Sequence, residues 1–365
     1  MTDFLRVHQV LNLIMKRYDK PLFSKDTLLG KLGKYDSNFL ISPYQRLFIG
    51  YSNNNQHRHI GSSGGIGSEL ACFVLEKGLV DLVIGVGFSK CDPTLPEYQV
   101  IDCQEDVDKL SGSKYVYMKF EPLAKLLALY NKKSVAVFVQ PCFVKAIRSF
   151  QRNKYPNIKY VFSFFCGYNI TYEGTEYLIR KTNFRKQEID RMEYRWGEYP
   201  GGFMAKSKDG KIATFGKECY ELIDLMFLRK GCKNCSYYMG EGADVALGDA
   251  WLKNLKQSSI VITRSDAGTK VIKDMCSARK ITLYHLNKID LIKMHYHNLR
   301  FKKYGLSSFL AFLHILLKSV LAKKFVPFKL MMLLSRVRRK FAIGVNVSLQ
   351  EIRSDSSAIN QNSER

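Results

Sequence analysis

Four cysteines have the types and spacing to share one centre: Cys142 in VAVFVQPC, Cys166 in YVFSFFC, and the pair Cys232 and Cys235 in GCKNC. A lone CxxC supplies half of a four-thiolate shell, and two thiols at the ends of apolar, β-branched or aromatic runs are its natural completion. The set suits an iron–sulfur cluster or a structural zinc. The alternative is that Cys142 and Cys166 are inert buried thiols, because free cysteine is among the most buried residue types. Cys72, Cys91, Cys103, Cys219 and Cys276 lack this arrangement and read as structural.

Three further groups could carry chemistry. Ser62, Ser63, Gly64 and Gly65 open an apolar helical pattern. Glycines there let backbone amides approach a phosphate, and serine hydroxyls can add donors; a plain N-cap and tight turn is the competing reading. Arg195 stands between Tyr194 and Trp196 ahead of Pro200, Gly201 and Gly202. A guanidinium among aromatics can hold an anionic cofactor group, or it can form a salt bridge in a surface turn. Asp244 and Asp249 in GADVALGDAW read as acid/base groups or as loop caps.

These residues need elements to position them. FIGYS, VDLVIGVGF, SVAVFVQ and KYVFSFF read as strands; IGSELACFVLEKGL, EPLAKLLALYNKK and the stretch 143–153 read as helices between them. DVALGDAW and SIVITRS read as further strands around the CxxC, whereas 169–216 shows few clear periodicities. The expected fold is α/β: a largely parallel or mixed sheet flanked by helices, with a smaller irregular α+β subdomain and a basic C-terminal helical segment.

The chain has 365 residues, of which 46% are hydrophobic, so it can bury a sizeable core. Nine cysteines with no signal peptide predict a reducing, cytoplasmic compartment. The net charge of +24 does not point to nucleic acid. Eleven Lys/Arg and no acid fall between Arg300 and Lys340, interleaved with LSSFLAFLHILLKSVLA and FVPFKLMMLL. Basic plus apolar predicts attachment to the anionic inner membrane face, against the alternatives of a packed amphipathic helix or a span. The expected organisation is a helical segment 1–46, a core 47–290, the basic apolar segment 291–343 and a disordered tail 344–365.

In order, RHIGSSGG, GLVDLVIGVGF, GSKY, VAVFVQPCFVKAIR, FFCGYN, EYRWGEYPGGF, CKNCSYYMGEGADVALGDAW and SSIVITRSDAG resemble the coenzyme F420 hydrogenase/dehydrogenase beta-subunit family. The resemblance spans about 47–286. It implies an oxidoreductase with FAD, one [4Fe-4S] cluster ligated by Cys142, Cys166, Cys232 and Cys235, and in some branches F420 as hydride partner. It further implies cofactor-binding roles for Ser63, Gly64, Gly65 and Lys114, with Ser62 in the same turn, and places Arg195, Thr263 and Arg264 near the cofactor. Many members carry a ferredoxin-like cysteine module ahead of this core, yet no cysteine precedes Cys72 here. Electrons are therefore expected from a separate donor such as ferredoxin, with the small-molecule substrate unassigned. A reduction in surface-polysaccharide synthesis would fit a membrane placement; a zinc-holding scaffold and a membrane-associated transferase are the rivals.

Overall fold

The computed structural model describes residues 37–303 apart from 253, 254 and 256. Two units divide at Ser42 and Pro43. The first contributes one short helix, α1 (Ser37–Ile41). Everything below concerns the second.

Its main sheet has eight strands: β1 (Arg46–Ser52), β2 (Leu82–Phe88), β3 (Pro96–Ile101), β4 (Val135–Val139), β5 (Ile158–Phe164), β9 (Val245–Asp249), β10 (Ser259–Thr263) and β11 (Ile281–His285). Their order is β11-β1-β10-β9-β5-β4-β2-β3. Strands β2, β4, β5 and β9 run parallel, while β3, β10, β1 and β11 join antiparallel, so the sheet is mixed.

The apolar runs are continuous because both faces are covered. Along β4, Val135, Val137 and Val139 join one core with Leu123 and Leu127 of α4 (Phe120–Leu129) and Val144 and Ile147 of α5 (Pro141–Asn153). Ala136 and Phe138 point the other way, into a core with Ile66, Leu70 and Val74 of α3 (Ile66–Glu76) and Val271 and Ile272 of α9 (Asp266–Ser277). The period-2 alternation of a strand thus separates the two cores.

The stretch with weak periodicity contains α6 (Tyr172–Lys181) and a three-stranded antiparallel sheet of β6 (Ile189–Trp196), β7 (Gly202–Ser207) and β8 (Ile212–Phe215). Register shifts interrupt the β6–β7 pairing twice, which is why a strict alternation is not visible in IDRMEYRW. Leu178, Tyr194, Phe203, Tyr220 and Ile223 form its core, the last two from α7 (Glu218–Phe227).

The helix α10 (Lys288–Lys303) differs from expectation. Residues 291–303 were expected in a separate membrane-attachment segment, yet Leu291, His295, Leu299 and Lys302 are buried. Lys303 pairs with Glu241 at 2.7 Å, so two of the eleven cations serve the core rather than a lipid surface. No helix among the described residues is long and apolar enough to cross a membrane. The rest of the basic segment, the tail and residues 1–36 lie outside the described residues.

Candidate functional site

The turn Gly61–Gly65 ends a short helix, α2 (Asn55–Ile60), and starts α3. Gly65 has φ +72, and a Cβ there would lie 2.6 Å from the His57 carbonyl, so glycine is required. Gly64 is packed as tightly against the sheet: a Cβ would meet the Gly50 oxygen at 2.6 Å and the Ser259 nitrogen at 2.8 Å. Its amide donates to Ser259 Oγ.

The serine hydroxyls, expected to face a phosphate, first fasten the turn to its neighbours. Ser62 Oγ accepts from both the amide and the hydroxyl of Ser113, at 2.7 and 2.8 Å. Ser63 pairs with Ser259, and Ser68 with Ser111. Having accepted twice, Ser62 retains its own O–H for a ligand. A polar seam therefore joins the start of α3 to the loop 111–114.

Lys114 lies in that loop, bonded to the carbonyls of Leu110 and Ser111 at 2.9 and 2.7 Å. Burial strips its ammonium of water and lowers its pKa to about 7, with the Glu193 charge opposing. Neither partner is anionic, so this lysine keeps a cationic N–H for a bound anion.

Both loops line one cavity of about 420 Å³, closed on other sides by the carboxyl ends of β4, β5 and β9. Ser62, Ser63, Gly65, Lys114 and Arg195 all reach it. Gly64, Thr263 and Arg264 are not among its lining residues. Thr263 is buried in β10 and accepts from Thr269, while Arg264 donates to the Pro43 and Met239 carbonyls, so both are placed as parts of the scaffold.

Arg195, at the end of β6, does not lie in a surface turn: its side chain is 3% exposed. It donates from Nη1 to Asp249 Oδ2 and from Nε to the Pro200 carbonyl, both at 2.6 Å. Its Nη2 has no hydrogen-bond partner. An unpartnered, buried guanidinium nitrogen at a cavity wall is a place for an anionic acceptor. Phe164, 43% exposed although it belongs to a central strand, turns an aromatic face to the same space. Anion donors at one wall and aromatic surface at another fit a flavin dinucleotide. Asp244 is different: its carboxylate accepts from the Val161 amide and Ser265 and pairs with Arg148, so it is a structural clamp.

Cys142 is the second residue of α5, Cys166 lies two residues beyond β5, and Cys232 and Cys235 flank the end of α8 (Lys230–Lys233). Cys142 and Cys166 both feel the charges of Cys232 and Cys235. Burial raises Cys142 to about 11, with Cys235 and Cys232 adding and Arg229 opposing. Burial raises Cys166 to about 12, with Lys302 opposing and the other three thiols adding. Among the described residues no three His, Cys, Asp or Glu side chains converge on a point that would hold a single ion. Four mutually felt thiols with two cations near them nevertheless fit a group that takes thiolates. Cys166 also lines the cavity, which brings one of the four thiols to its wall.

Sequence reasoning passed over Tyr238 and His295, which also line the cavity. Tyr238 stands three residues after Cys235 in CKNCSYYMG, a visible cue; His295 belongs to a helix without clear amphipathic pattern and carries none. Ser113 and Ser259 were within quoted segments, but their pairing with Ser62 and Ser63 is a tertiary fact.

Comparison with known proteins gives two family matches: residues 47–125 to "Coenzyme F420 hydrogenase/dehydrogenase, beta subunit N-term" and residues 132–289 to the C-terminal part of that same beta subunit. The coenzyme F420 hydrogenase beta subunit of Methanothermobacter thermautotrophicus is 24% identical over 257 residues, covering 66% of this chain and 84% of the relative. The beta subunit of Methanococcus voltae is 27% identical over 229 residues, covering 59% and 75%. Among solved structures, the F420-reducing [NiFe] hydrogenase complex of Methanosarcina barkeri contains a chain of the same fold, with a TM-score of 0.57, 20% identity and coverage of 73% of this chain and 91% of that one.

Proposed function

The chain belongs to the coenzyme F420 hydrogenase/dehydrogenase beta-subunit family, an oxidoreductase family, and from that premise we propose that it is a flavin-dependent oxidoreductase with one [4Fe-4S] cluster. One observation carries the reading: Cys166 belongs to the interacting set of four thiols and also lines the cavity that holds the anion donors. Redox groups at those two places would be neighbours.

Bound FAD would supply the exchange between hydride and single-electron chemistry, and the cluster would pass single electrons. The residues of this chain bind and orient. Ser62 and Lys114 hold the anionic part at the start of α3, where a helix amino terminus favours an anion. Arg195, held by Asp249, offers Nη2 to a further acceptor. Lys114 Nζ, with its pKa near 7, can take or release a proton at the cavity wall. The thiolates Cys142, Cys166, Cys232 and Cys235 hold the cluster, and Arg229 and Lys302 offset their charge.

Because relatives are named as hydrogenase subunits, a second protein supplying or receiving electrons is part of the reading, whether a ferredoxin or another subunit. F420 is one candidate hydride partner.

Anaerobic purification with metal and flavin analysis tests the proposal. About four irons, matching sulfide and one flavin per chain are expected; a colourless protein containing zinc would sink it. Mixing reduced F420 with the purified protein then asks separately whether that deazaflavin is the partner.

A further inference from the structure

Behind the two cavity loops lies a buried polar cluster that the proposed chemistry leaves unused. His57 of α2 is 6% exposed. Its Nδ1 is 2.8 Å from Glu69 Oε2 on α3, and its Nε2 is 3.7 Å from Asp108 Oδ1 in the 3-10 helix Gln104–Leu110. Ser52, the last residue of β1, donates to the same Glu69 oxygen at 2.8 Å, and Gln56 donates to Asp108 Oδ2. Asp108 Oδ1 is a buried acceptor without a hydrogen-bond partner.

The ring sits at the root of both loops. The Gly61 amide donates to the His57 carbonyl at 3.0 Å, and Gly65 is pressed against that same carbonyl. On the other side the Ser111 amide donates to the Asp108 carbonyl at 3.0 Å. A shift of His57 relative to Asp108 would therefore change the gap between Gly61–Gly65 and Ser111–Lys114, across which Ser62 meets Ser113.

Burial by itself would raise the Glu69 pKa, but hydrogen bonds from His57 and Ser52 and the charges of His57 and Lys280 outweigh it, so the carboxyl is held below its ordinary value. A buried carboxylate is costly without a cation. The ring meets Glu69 through Nδ1 and turns Nε2 toward the orphaned Asp108 oxygen, 3.7 Å away.

We propose that His57 is the positioning residue of the cofactor cavity: lying between Glu69 and Asp108, it sets the spacing of the two loops between which the anionic part of the ligand binds. The proposal rests on the flavin reading of the cavity. The charged and titratable groups around this cluster are Glu69, Cys72 and Glu76 of α3, Asp108 of the 3-10 helix, and Lys280 ahead of β11. On its own helix are Arg58, stacked over Tyr51 at 4.2 Å, and His59.

The test measures FAD dissociation constants of the full-length protein. His57→Gln, folded, is expected to weaken FAD binding about tenfold. Asp108→Asn, at a partly exposed position, should weaken FAD about tenfold as well, and the double variant should be no worse than either single one. Wild-type FAD affinity in a folded His57→Gln overturns the proposal. A readout without cofactor separates this from failure of the flavin reading: hydrogen-exchange protection of the Ser113 amide, which is donated to Ser62 Oγ, should fall about tenfold in Asp108→Asn. Unchanged protection overturns the proposal even if FAD never binds.

Discussion

Tyr238 and His295, fifty-seven positions apart, share a 2.6 Å hydrogen bond at the cavity wall. His295 Nε2 faces the Asp249 carbonyl at 3.0 Å, an acceptor only, so that nitrogen carries the proton. Burial lowers the imidazole to about pKa 4, leaving the ring neutral and Nδ1 as acceptor. Tyr238 must then donate, and its oxygen accepts from Asn298 at 2.9 Å. Asp249, which holds Arg195, is thereby tied through α10 to the segment that follows the CxxC. The C-terminal family match ends at residue 289, so His295 and Asn298 reach the site from beyond it.

This pair makes stability depend on acid. Between the ordinary value of 6.5 and about 4, the unfolded chain binds a proton at His295 and the folded chain does not. Stability is therefore expected to fall as pH drops through that window, by on the order of 3 kcal/mol. His295→Phe should flatten the slope and, by orphaning the Tyr238 hydroxyl and Asp249 carbonyl, lower stability at neutral pH by about 1–3 kcal/mol. Denaturant melts at several pH values check both.

Cysteine replacement should separate ligands from packing. Cys142→Ser, Cys166→Ser, Cys232→Ser and Cys235→Ser are each expected to lower bound iron and loosen the fold, because metal binding is coupled to folding. Cys72→Ser and Cys276→Ser should keep full iron, since neither thiol acts on the set of four. Iron content unchanged in all four of the first group rejects the ligand assignment.

Lys114 predicts a pH-dependent affinity. Its ammonium is present below about pH 7 and lost above, so binding of a phosphate-bearing flavin should weaken as pH rises through that value. Lys114→Met should remove this dependence and cost at least about tenfold in affinity at pH 6, the worth of one charge-assisted hydrogen bond. Fluorescence titration with FAD reads both effects.

Gly64 and Ser62 should behave oppositely although they are two residues apart. Gly64→Ala forces a Cβ into the backbone of β1 and β10, so loss of folded protein is expected rather than a selective loss of cofactor. Ser62→Ala leaves Ser113 without its acceptor, with an expected cost of about 1–3 kcal/mol and weaker FAD binding in a folded protein. Thermal melts beside FAD titrations distinguish the two.

Much of this site was legible in the chain. The strands before Cys142 and Cys166 announce themselves as apolar β-rich runs, and SSGG marks the start of α3 because φ > 0 at Gly65 needs glycine. The small antiparallel sheet was not legible, since its bulges break the alternation that identifies a strand. The basic segment misled at its near end: a count of cations cannot show that Lys302 and Lys303 turn inward, the latter to Glu241.

Local pattern alone therefore determined the α/β class, the glycine turn and the candidate thiols, because helix and strand periods and backbone conformation depend on residues close in sequence. Partner choice was decided only by the fold. Whether Ser62 meets a ligand or Ser113, whether Arg195 lies at the surface or against Asp249, and whether His295 belongs to a membrane helix or a cavity wall all depend on chain crossings of fifty or more residues. Those crossings follow from how two cores close on one sheet, and no short-range pattern encodes them.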